Sequence, residues 1–394
     1  MQPSLLKNNR REFLKKLGLT SIPFILPGAA FSKTVVHENI KSDRKVNFEY
    51  DGIFFSPQEY IEKLKFINDS NPIEGDIYGN GGATLALEQK FAELTGKEKA
   101  IYLPTGTMAN QLAIKLLSGE KTKVIVPENS HIYRDEADAA QSVHSKRLVP
   151  VRNNKAYFDA SDLDQTINEL SRNEVFKSGI GTVVVENPVR RADGTAVPLN
   201  TIKGISEYCK EKGYRMHLDA ARVHFAEAFY GISVKEYASH FDTVYISLYK
   251  YLNAAGGAIL CGDASLIDEV THQIKIHGGT MYQTWNNTSM ALHYLDGITA
   301  RFNKMADATQ VIVGQLNALE GVEVQSVPNG TNIYQMRLVS SIDGNLLQEY
   351  LETNHQISIR PPNEKGVIRL AFNESILFQS VDEIVKAFQN AISA

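Results

Sequence analysis

An acid and a lysine each stand at the end of an apolar segment typical of a buried strand. Asp219 follows Arg215–Leu218 within His217-Leu-Asp-Ala-Ala-Arg222, and Lys250 ends Tyr245-Ile-Ser-Leu-Tyr-Lys250. Open α/β sheets bind ligands at the carboxyl ends of their strands. A lysine in apolar surroundings has a lowered pKa, which suits Schiff-base chemistry with an aldehyde. Taken singly, the two residues have simpler interpretations, a surface ion pair and an exposed lysine.

A third pattern is the small-residue turn in Tyr-Leu-Pro-Thr-Gly-Thr-Met-Ala-Asn, residues 102–110, between a predicted strand and a predicted helix. Gly106 lets the backbone approach a ligand closely. Thr107 and the free N–H groups of the first helical turn predict an anion site. The turn lacks the GxxxxGK of a nucleotide P-loop, and a simple threonine N-cap is the alternative.

Together the three patterns indicate pyridoxal phosphate. Its phosphate needs a helix N-terminus, its ring nitrogen needs a carboxylate so that the ring can accept electrons, and its aldehyde needs a lysine. The predicted ligands are Thr107 with its neighbours, Asp219 and Lys250. A metal interpretation of His217, Asp219 and His224 matches no known ligand spacing, so no metal is predicted.

The elements that position these residues alternate between strand and helix from about residue 84. Examples are the predicted helices Leu85–Thr95 and Thr201–Glu211, the second with Asn200 as its N-cap, and the strand Gly181–Glu186. Strands alternating with helices of 10–15 residues predict an α/β fold whose mostly parallel sheet is flanked by helices.

The pattern changes towards the C-terminus. One long helix is predicted over Ser289–Leu319, followed by a mixture that includes strands Ile357–Arg360 and Val367–Phe372 and a last helix. Alternation along the last strand puts Arg369 on the face opposite Ile368 and Leu370. The predicted organisation is an N-terminal segment (33–73), a large domain (74–297) and a small C-terminal α+β domain (298–394).

Residues 1–32 have the features of an export signal rather than of a fold. A basic region contains the paired Arg10 and Arg11, a weakly apolar run extends from Leu17 to Leu26, and Ala30-Phe-Ser32 offers a cleavage site. Asn9-Arg-Arg-Glu-Phe-Leu-Lys15 is similar to the bacterial twin-arginine signal. This predicts recognition by the twin-arginine export machinery and a periplasmic or exported enzyme. The apolar run is too short for a stable membrane span.

The composition excludes several other classes. With 43% hydrophobic and 22% charged residues, the 394-residue chain is typical of a globular protein rather than a disordered one. A formal net charge of −4 gives no indication of a nucleic-acid partner. Two cysteines cannot form a disulfide framework.

Several motifs occur in the order found in one known family. They are Gly75-Asp-Ile-Tyr-Gly79, Leu87–Lys97, Thr105-Gly-Thr-Met-Ala-Asn-Gln111, Ser130-His-Ile-Tyr-Arg134, Glu186-Asn187, His217–Arg222 and Gly278-Gly-Thr-Met281. Over roughly residues 74–372 the chain resembles the threonine aldolase and aromatic amino acid β-eliminating lyase family. The resemblance implies the fold-type-I pyridoxal-phosphate architecture of aspartate aminotransferase, and a homodimer or homotetramer whose subunits share active sites.

The resemblance also implies roles for individual residues. His131 stacks on the cofactor ring and is the available base. Asp219 holds the pyridine nitrogen and Lys250 binds the aldehyde. The remaining assignments are phosphate binding by Thr105, Gly106 and Thr107, cofactor contact by Arg222, and substrate binding by Arg222, Arg369 and Tyr78, the two arginines gripping the carboxylate.

Three departures from the family pattern concern the substrate. No Ser-Asp-Thr occurs in 33–73, Glu186-Asn187-Pro188-Val189 stands where the family often has Glu-Asn-Thr-His, and Tyr282 replaces an arginine after Met281. The preferred prediction is retro-aldol cleavage of the Cα–Cβ bond of a β-hydroxy amino acid to glycine and an aldehyde. The alternative is another reaction of an amino acid on the same cofactor, such as β-elimination, racemisation or transamination.

Two other classes of function are less consistent with the sequence. Ser247-Leu-Tyr-Lys250 matches S-x-x-K, the serine-acylation motif of penicillin-binding proteins. That motif needs its serine at a helix start, whereas this one lies in an apolar strand with no Ser-Asp-Asn or Lys-Thr-Gly after it. A binding protein on a decayed enzyme scaffold is disfavoured by the intact Asp219, Lys250 and Arg369.

Overall fold

The computed structural model describes residues 45–152 and 154–393, so the predicted export signal lies outside the described residues. The strands are β1 Val46–Asn47, β2 Lys99–Leu103, β3 Lys123–Pro127, β4 Arg147–Val151, β5 Ile180–Glu186, β6 Arg215–Asp219, β7 Thr243–Ser247, β8 Ala258–Gly262, β9 Val322–Ser326, β10 Ile333–Leu338, β11 Ile357–Ser358 and β12 Val367–Ala371.

The α-helices of the described residues are α1 Pro57–Ser70, α2 Gly82–Thr95, α3 Gly106–Ser118, α4 His131–Arg134, α5 Ala139–His144, α6 Ala160–Asn173, α7 Leu199–Lys212, α8 Val223–Tyr230, α9 Val234–Ala238, α10 Ala264–Ile276, α11 Trp285–Leu295, α12 Ile298–Asn317, α13 Gly344–His355 and α14 Val381–Ser393. None of them is long and apolar enough to cross a membrane.

The main sheet has seven strands in the order β2-β8-β7-β6-β5-β3-β4. The pairs β7–β6, β6–β5, β5–β3 and β3–β4 are parallel, and β8 runs antiparallel to both of its neighbours. The predicted α/β class with a mostly parallel, helix-flanked sheet is therefore confirmed. Because β5, β6 and β7 are adjacent and parallel, their carboxyl ends meet at one edge, where Glu186 pairs in register with Asp219.

Two smaller sheets bring distant parts of the chain beside that edge. β12, β10 and β9 form an antiparallel sheet, and β1 pairs in parallel with β11. The β1–β11 pairing ties the N-terminal segment to the C-terminal region, as does the Asn373 side-chain amide, which donates to the backbone oxygens of Asn47 and Tyr50. One buried apolar cluster extends through the main sheet and the three-stranded sheet. The boundary predicted at residues 297 and 298 stays a prediction.

Several predicted elements were wrong in extent. The single helix over Ser289–Leu319 is two helices, α11 and α12, because Gly297 adopts a left-handed conformation with φ 66° that ends the helical path. α7 begins at Leu199 after Pro198 rather than after an Asn200 cap.

The strand predicted over Ile357–Arg360 pairs only through Ser358, since Pro361 and Pro362 follow and provide no N–H for a ladder. The edge strand β4 was not predicted. Its sequence, Arg-Leu-Val-Pro-Val, contains Pro150, which weakens the strand signal.

Candidate active site

Lys250 lies three residues after the end of β7, half-buried in the cleft at the carboxyl edge of the main sheet. Its Nζ is 4.6 Å from the centre of the Tyr249 ring and 3.5 Å from the Tyr249 hydroxyl. Burial lowers the pKa of Lys250 to about 8, and the neighbouring positive charge of Arg222 contributes to the shift. A neutral, nucleophilic amine is therefore accessible near neutral pH, as covalent chemistry with an aldehyde requires.

Asp219 is buried at the end of β6 and belongs to a hydrogen-bonded group with His131. The Asn110 side-chain Nδ2 lies 3.3 Å from Asp219 Oδ2 and 2.8 Å from Glu136 Oε1. The same Glu136 oxygen is 3.0 Å from Nδ1 of His131. The structure thus brings together the predicted ring-nitrogen partner and the predicted base, through two residues that sequence reasoning did not select, Asn110 and Glu136.

Two carboxylates hold His131 in place. Glu136 binds its ring, and Glu186 accepts a hydrogen bond from its backbone N–H at 2.6 Å. Burial alone would lower the pKa of His131, but the Glu136 hydrogen bond and the negative charge of Asp219 raise it above its ordinary value. Burial and the charge of Asp219 raise the pKa of Glu186 to about 7. With Nδ1 engaged, Nε2 is the ring nitrogen left for a ligand.

The small-residue turn begins α3 with Thr105, rather than Thr107, as its N-cap. The Thr105 hydroxyl oxygen accepts the Met108 backbone N–H at 3.1 Å, which leaves the Thr107 hydroxyl free for a ligand. A Cβ on Gly106 would lie 2.1 Å from the Tyr245 hydroxyl. Glycine at this position is therefore required by the close approach of a β7 side chain, in addition to any need for a ligand to reach the backbone.

Ser247 is a buried residue on the same face of β7 as Tyr245. Its Oγ has no well-aligned hydrogen bond among the described residues, but it lies close enough to the Tyr245 and Tyr249 hydroxyls for a hydrogen bond that acts on the pKa of both tyrosines. Ser247 is the last residue of a strand rather than the first of a helix, which removes the S-x-x-K interpretation. A buried hydroxyl without a well-aligned hydrogen bond costs stability unless a ligand provides one.

Arg222 is paired with an acid that the sequence analysis did not select. Its Nε and Nη2 donate to the two carboxylate oxygens of Asp51 at 3.0 and 2.8 Å. Burial opposes ionisation of Asp51, yet the Arg222 charge and hydrogen bond hold the pKa of Asp51 below its ordinary value. Asp51 lies in Tyr50-Asp51-Gly52, so the segment in which no Ser-Asp-Thr was found supplies an acid to the site all the same.

The two-point grip predicted for Arg222 and Arg369 is therefore not preformed. In Arg222 the edge formed by Nε and Nη2 is occupied by Asp51. Arg369 is a partly exposed residue of β12 whose Nε donates to Asp193 Oδ1 at 3.3 Å, and its terminal nitrogens have no partner among the described residues. Gln335, opposite Arg369 in register, donates to the other Asp193 oxygen at 2.8 Å.

Tyr78 lies on the surface, away from these hydrogen-bonded groups. Its ring meets the Tyr282 ring edge-on at 5.3 Å, and the Lys275 ammonium lies 5.7 Å from its centre. None of the hydrogen bonds or ion pairs of the described residues links Tyr78 to Lys250 or Arg369.

The donor set fits pyridoxal phosphate. A half-buried lysine and a buried carboxylate stand on neighbouring strand ends, the start of α3 offers free N–H groups, and Ser247 at the end of β7 offers a buried hydroxyl. Atoms of His131, Glu136 and Asp219 also lie within 4.8 Å of one another, close enough to hold a metal ion. The expectation that no metal is used stays a prediction.

Comparison with known proteins identifies the family. Residues 71–338 match the model of the beta-eliminating lyases. The low-specificity L-threonine aldolase of Candida albicans is 28% identical over 319 residues, which cover 80% of this chain and 83% of that protein. The alanine racemase TOXG of Cochliobolus carbonum is 32% identical over 210 residues, covering 53% of each chain.

The fold is also similar to solved structures. A structure from Exiguobacterium sp. 255-15, provisionally named as an aromatic amino acid beta-eliminating lyase/threonine aldolase, has a TM-score of 0.74, with 23% identity over 90% of this chain and 98% of that one. At this identity the likeness shows the fold alone. The match to the family model spans more than half of the sequence, so the chain belongs to the beta-eliminating lyase family of pyridoxal-phosphate-dependent enzymes.

Proposed function

We propose that this protein is a pyridoxal-phosphate-dependent lyase that cleaves the Cα–Cβ bond of β-hydroxy amino acids, releasing glycine and an aldehyde. The observation that carries the proposal is the half-buried Lys250 beside the buried Asp219 at one sheet edge, in a chain similar to L-threonine aldolases. When bound, pyridoxal phosphate supplies an electron sink for the charge left at Cα.

Each predicted residue then has a distinct task. Lys250 binds the aldehyde, Asp219 keeps the ring nitrogen protonated, and His131 lies against the ring. The phosphate is held at the start of α3, where the candidate ligands are Thr105, Gly106, Thr107 and Ser247, with Arg222 near the cofactor.

On the substrate side, the free terminal nitrogens of Arg369 bind the carboxylate. His131 takes the proton of the β-hydroxyl group through Nε2, because Glu136 engages Nδ1. Pro188 and Val189, where the family often has Thr-His, provide no second imidazole. Tyr78 and Arg222 complete the proposed substrate pocket.

Racemisation is the second candidate, favoured by the local similarity to an alanine racemase. The two reactions differ in the bond that breaks, Cα–Cβ or Cα–H, and both use the same cofactor residues. They are distinguished by their products.

The test is the product spectrum of the purified protein. L-threonine, L-allo-threonine, phenylserine, L-cysteine and L-alanine are each offered, and glycine, aldehyde, pyruvate and D-alanine are measured. Glycine with the matching aldehyde supports the proposal, whereas D-alanine without glycine overturns it in favour of racemisation.

Borohydride treatment should fix the cofactor to Lys250, and the Lys250→Ala variant should be colourless and inactive. Labelling of any other lysine would contradict the assignment.

The protein is further proposed to act as a homodimer, or as a homotetramer built from two such dimers. Exposed apolar side chains around Tyr78 form a patch, here called the tyrosine patch: Ile77, Tyr78, Ile276, Met281 and Tyr282. Its loop contacts the start of α3, since a Cβ on Gly279 would lie 2.6 Å from Met108 Sδ. A second copy seated on the patch would border the anion turn, which argues for this occupant.

Sedimentation of wild type, Tyr282→Glu and Phe176→Glu tests the assembly. Phe176 is 92% exposed on a different loop and serves as the control. The Tyr282 variant should dissociate while the control stays assembled. A wild-type monomer at micromolar concentration would contradict the proposal.

Export by the twin-arginine machinery to the periplasm is also proposed. It rests on the sequence of residues 1–32, which lie outside the described residues. Replacing Arg10 and Arg11 together by lysine should leave an active precursor in the cytoplasm. Continued export of the altered protein would contradict the proposal.

A further inference from the structure

Asp219 and Glu136 are two buried carboxyl groups that lie close together. The nearest ligand atoms of Glu136, Asp219 and His131 lie within 4.8 Å of one another. At that separation and away from water, two carboxylates repel strongly unless donors lie between them. Both side chains are nearly inaccessible, Glu136 at 5% and Asp219 at 2% exposure, so water cannot supply those donors.

Asn110 supplies them. Its buried side-chain Nδ2 lies 2.8 Å from Glu136 Oε1 and 3.3 Å from Asp219 Oδ2. A primary amide carries two N–H groups, one for each acid. The amide must point this way, because the opposite orientation would place its oxygen against both carboxylates.

Two further buried residues fix that orientation. Asn110 Oδ1 is 3.0 Å from His217 Nε2, and His217 Nδ1 is 2.8 Å from Thr243 Oγ1. Burial lowers the pKa of His217 to about 4, so the ring is neutral and carries one N–H. That N–H donates from Nε2 to the amide oxygen, while Nδ1 accepts the Thr243 hydroxyl hydrogen. With the amide in this orientation, the hydrogen bonds from Thr243 to His217 and from His217 to Asn110 run in one direction.

We propose that Asn110 is a positioning residue for the cofactor ring: it aims Asp219 at the ring nitrogen while it holds Glu136 against His131. His217 and Thr243 act through it by fixing the amide. The inference rests on the proposed binding of pyridoxal phosphate and adds three residues to the site, none of which touches the cofactor in this scheme.

The test measures cofactor affinity and the absorbance spectrum of the bound cofactor, together with the melting temperature of the apoprotein. Asn110→Asp keeps the side-chain shape but puts a third acceptor between the two acids, and Asn110→Leu removes both donors. Each should weaken pyridoxal phosphate binding about tenfold to a hundredfold and alter the spectrum, which depends on ring-nitrogen protonation. Thr243→Val, which frees the amide to turn, should weaken binding by about two- to tenfold.

Ser118→Ala is the matched control. Ser118 lies on the same helix and forms a buried hydrogen bond with Thr182 at 2.7 Å, two turns from Asn110. It should lose stability without losing cofactor affinity. If the Asn110 variants do not fold, Thr243→Val decides the question. Unchanged affinity and spectrum in the folded variants overturn the inference, whereas failure of wild type to bind the cofactor overturns the proposed function instead.

Discussion

The candidate site residues on the main sheet and those on the three-stranded sheet are held in different ways. On the main sheet, Asp219 is 2% exposed and sits in a chain of buried hydrogen bonds. On the three-stranded sheet, the Arg369 side chain is 36% exposed, and its one hydrogen-bond partner within the described part of the chain is Asp193 at 3.3 Å. The cofactor side is thus preorganised, whereas the substrate side keeps donors free for a ligand that comes and goes.

The difference has a physical basis. A cofactor that stays bound can replace buried interactions permanently, and Ser247, a buried hydroxyl without a well-aligned hydrogen bond among the described residues, is a candidate for such a replacement. A substrate must leave as product, and a partly hydrated arginine with open terminal nitrogens can bind and release a carboxylate at small cost. The predictions below test each side separately.

The largest effect is expected on the preorganised side, from Asp219→Asn. The variant should still bind the cofactor, but its kcat should fall by about a hundredfold or more, because a neutral amide cannot keep the ring nitrogen protonated. Cofactor absorbance and kcat measure the two properties. Asp242→Asn is the control, since Asp242 pairs with Arg215 at the other end of β6. A near-normal kcat for Asp219→Asn would make the carboxylate structural.

On the three-stranded sheet, the substitution Arg369→Lys should raise KM and lower kcat/KM by about one to two decades. A point charge cannot replace the planar fork, and one charge-assisted pair is worth about 1.5–3 kcal/mol. Cofactor absorbance should stay unchanged, which separates this effect from the first. The exposed Arg360, which donates to the Glu49 backbone oxygen, provides the matched control Arg360→Lys. Unaltered kinetics for Arg369→Lys would show that the carboxylate binds elsewhere.

Capture of the cofactor should depend on pH through Lys250. Its pKa is lowered to about 8, so the reactive neutral amine increases about tenfold per pH unit below 8 and then levels off. The rate at which apoprotein gains cofactor absorbance, measured between pH 6.5 and 9.5, should follow that curve. A rate still rising tenfold per unit at pH 9.5 would mean that the amine keeps its ordinary pKa.

The smallest effect is expected for Ser247→Ala. Because its hydroxyl has no well-aligned hydrogen bond among the described residues, its loss should change the apoprotein melting temperature little. Cofactor affinity should fall about three- to tenfold, the value of one hydrogen bond. Ser206→Ala is the control: because Ser206 donates to the His240 backbone oxygen, this variant should lower the apoprotein melting temperature and leave cofactor affinity unchanged. Equal cofactor affinity in wild type and Ser247→Ala would exclude the serine as a phosphate ligand.

Much of the scaffold follows from local sequence. Apolar runs ending in Asp219 and Lys250 predicted strand ends, and the structure places β6 and β7 side by side there, with β7 ending at Ser247. Gly96 and Gly213 end α2 and α7 in the left-handed conformation, as the pattern indicated. By contrast, the long helix predicted over Ser289–Leu319 ignores Gly297, a residue type that is unfavourable inside a helix.

Candidate cofactor partners could thus be predicted from residue types at the ends of apolar segments, because strand alternation and helix capping are local properties. What each partner contacts was decided only by tertiary structure. Asp51 and Arg222 are 171 positions apart, and Asn110 and Asp219 are 109 apart. Nothing in either local sequence marks these pairs. Their energies come from burial, which removes the competing water and makes each unpaired charge costly, and burial exists only once the sheets have assembled.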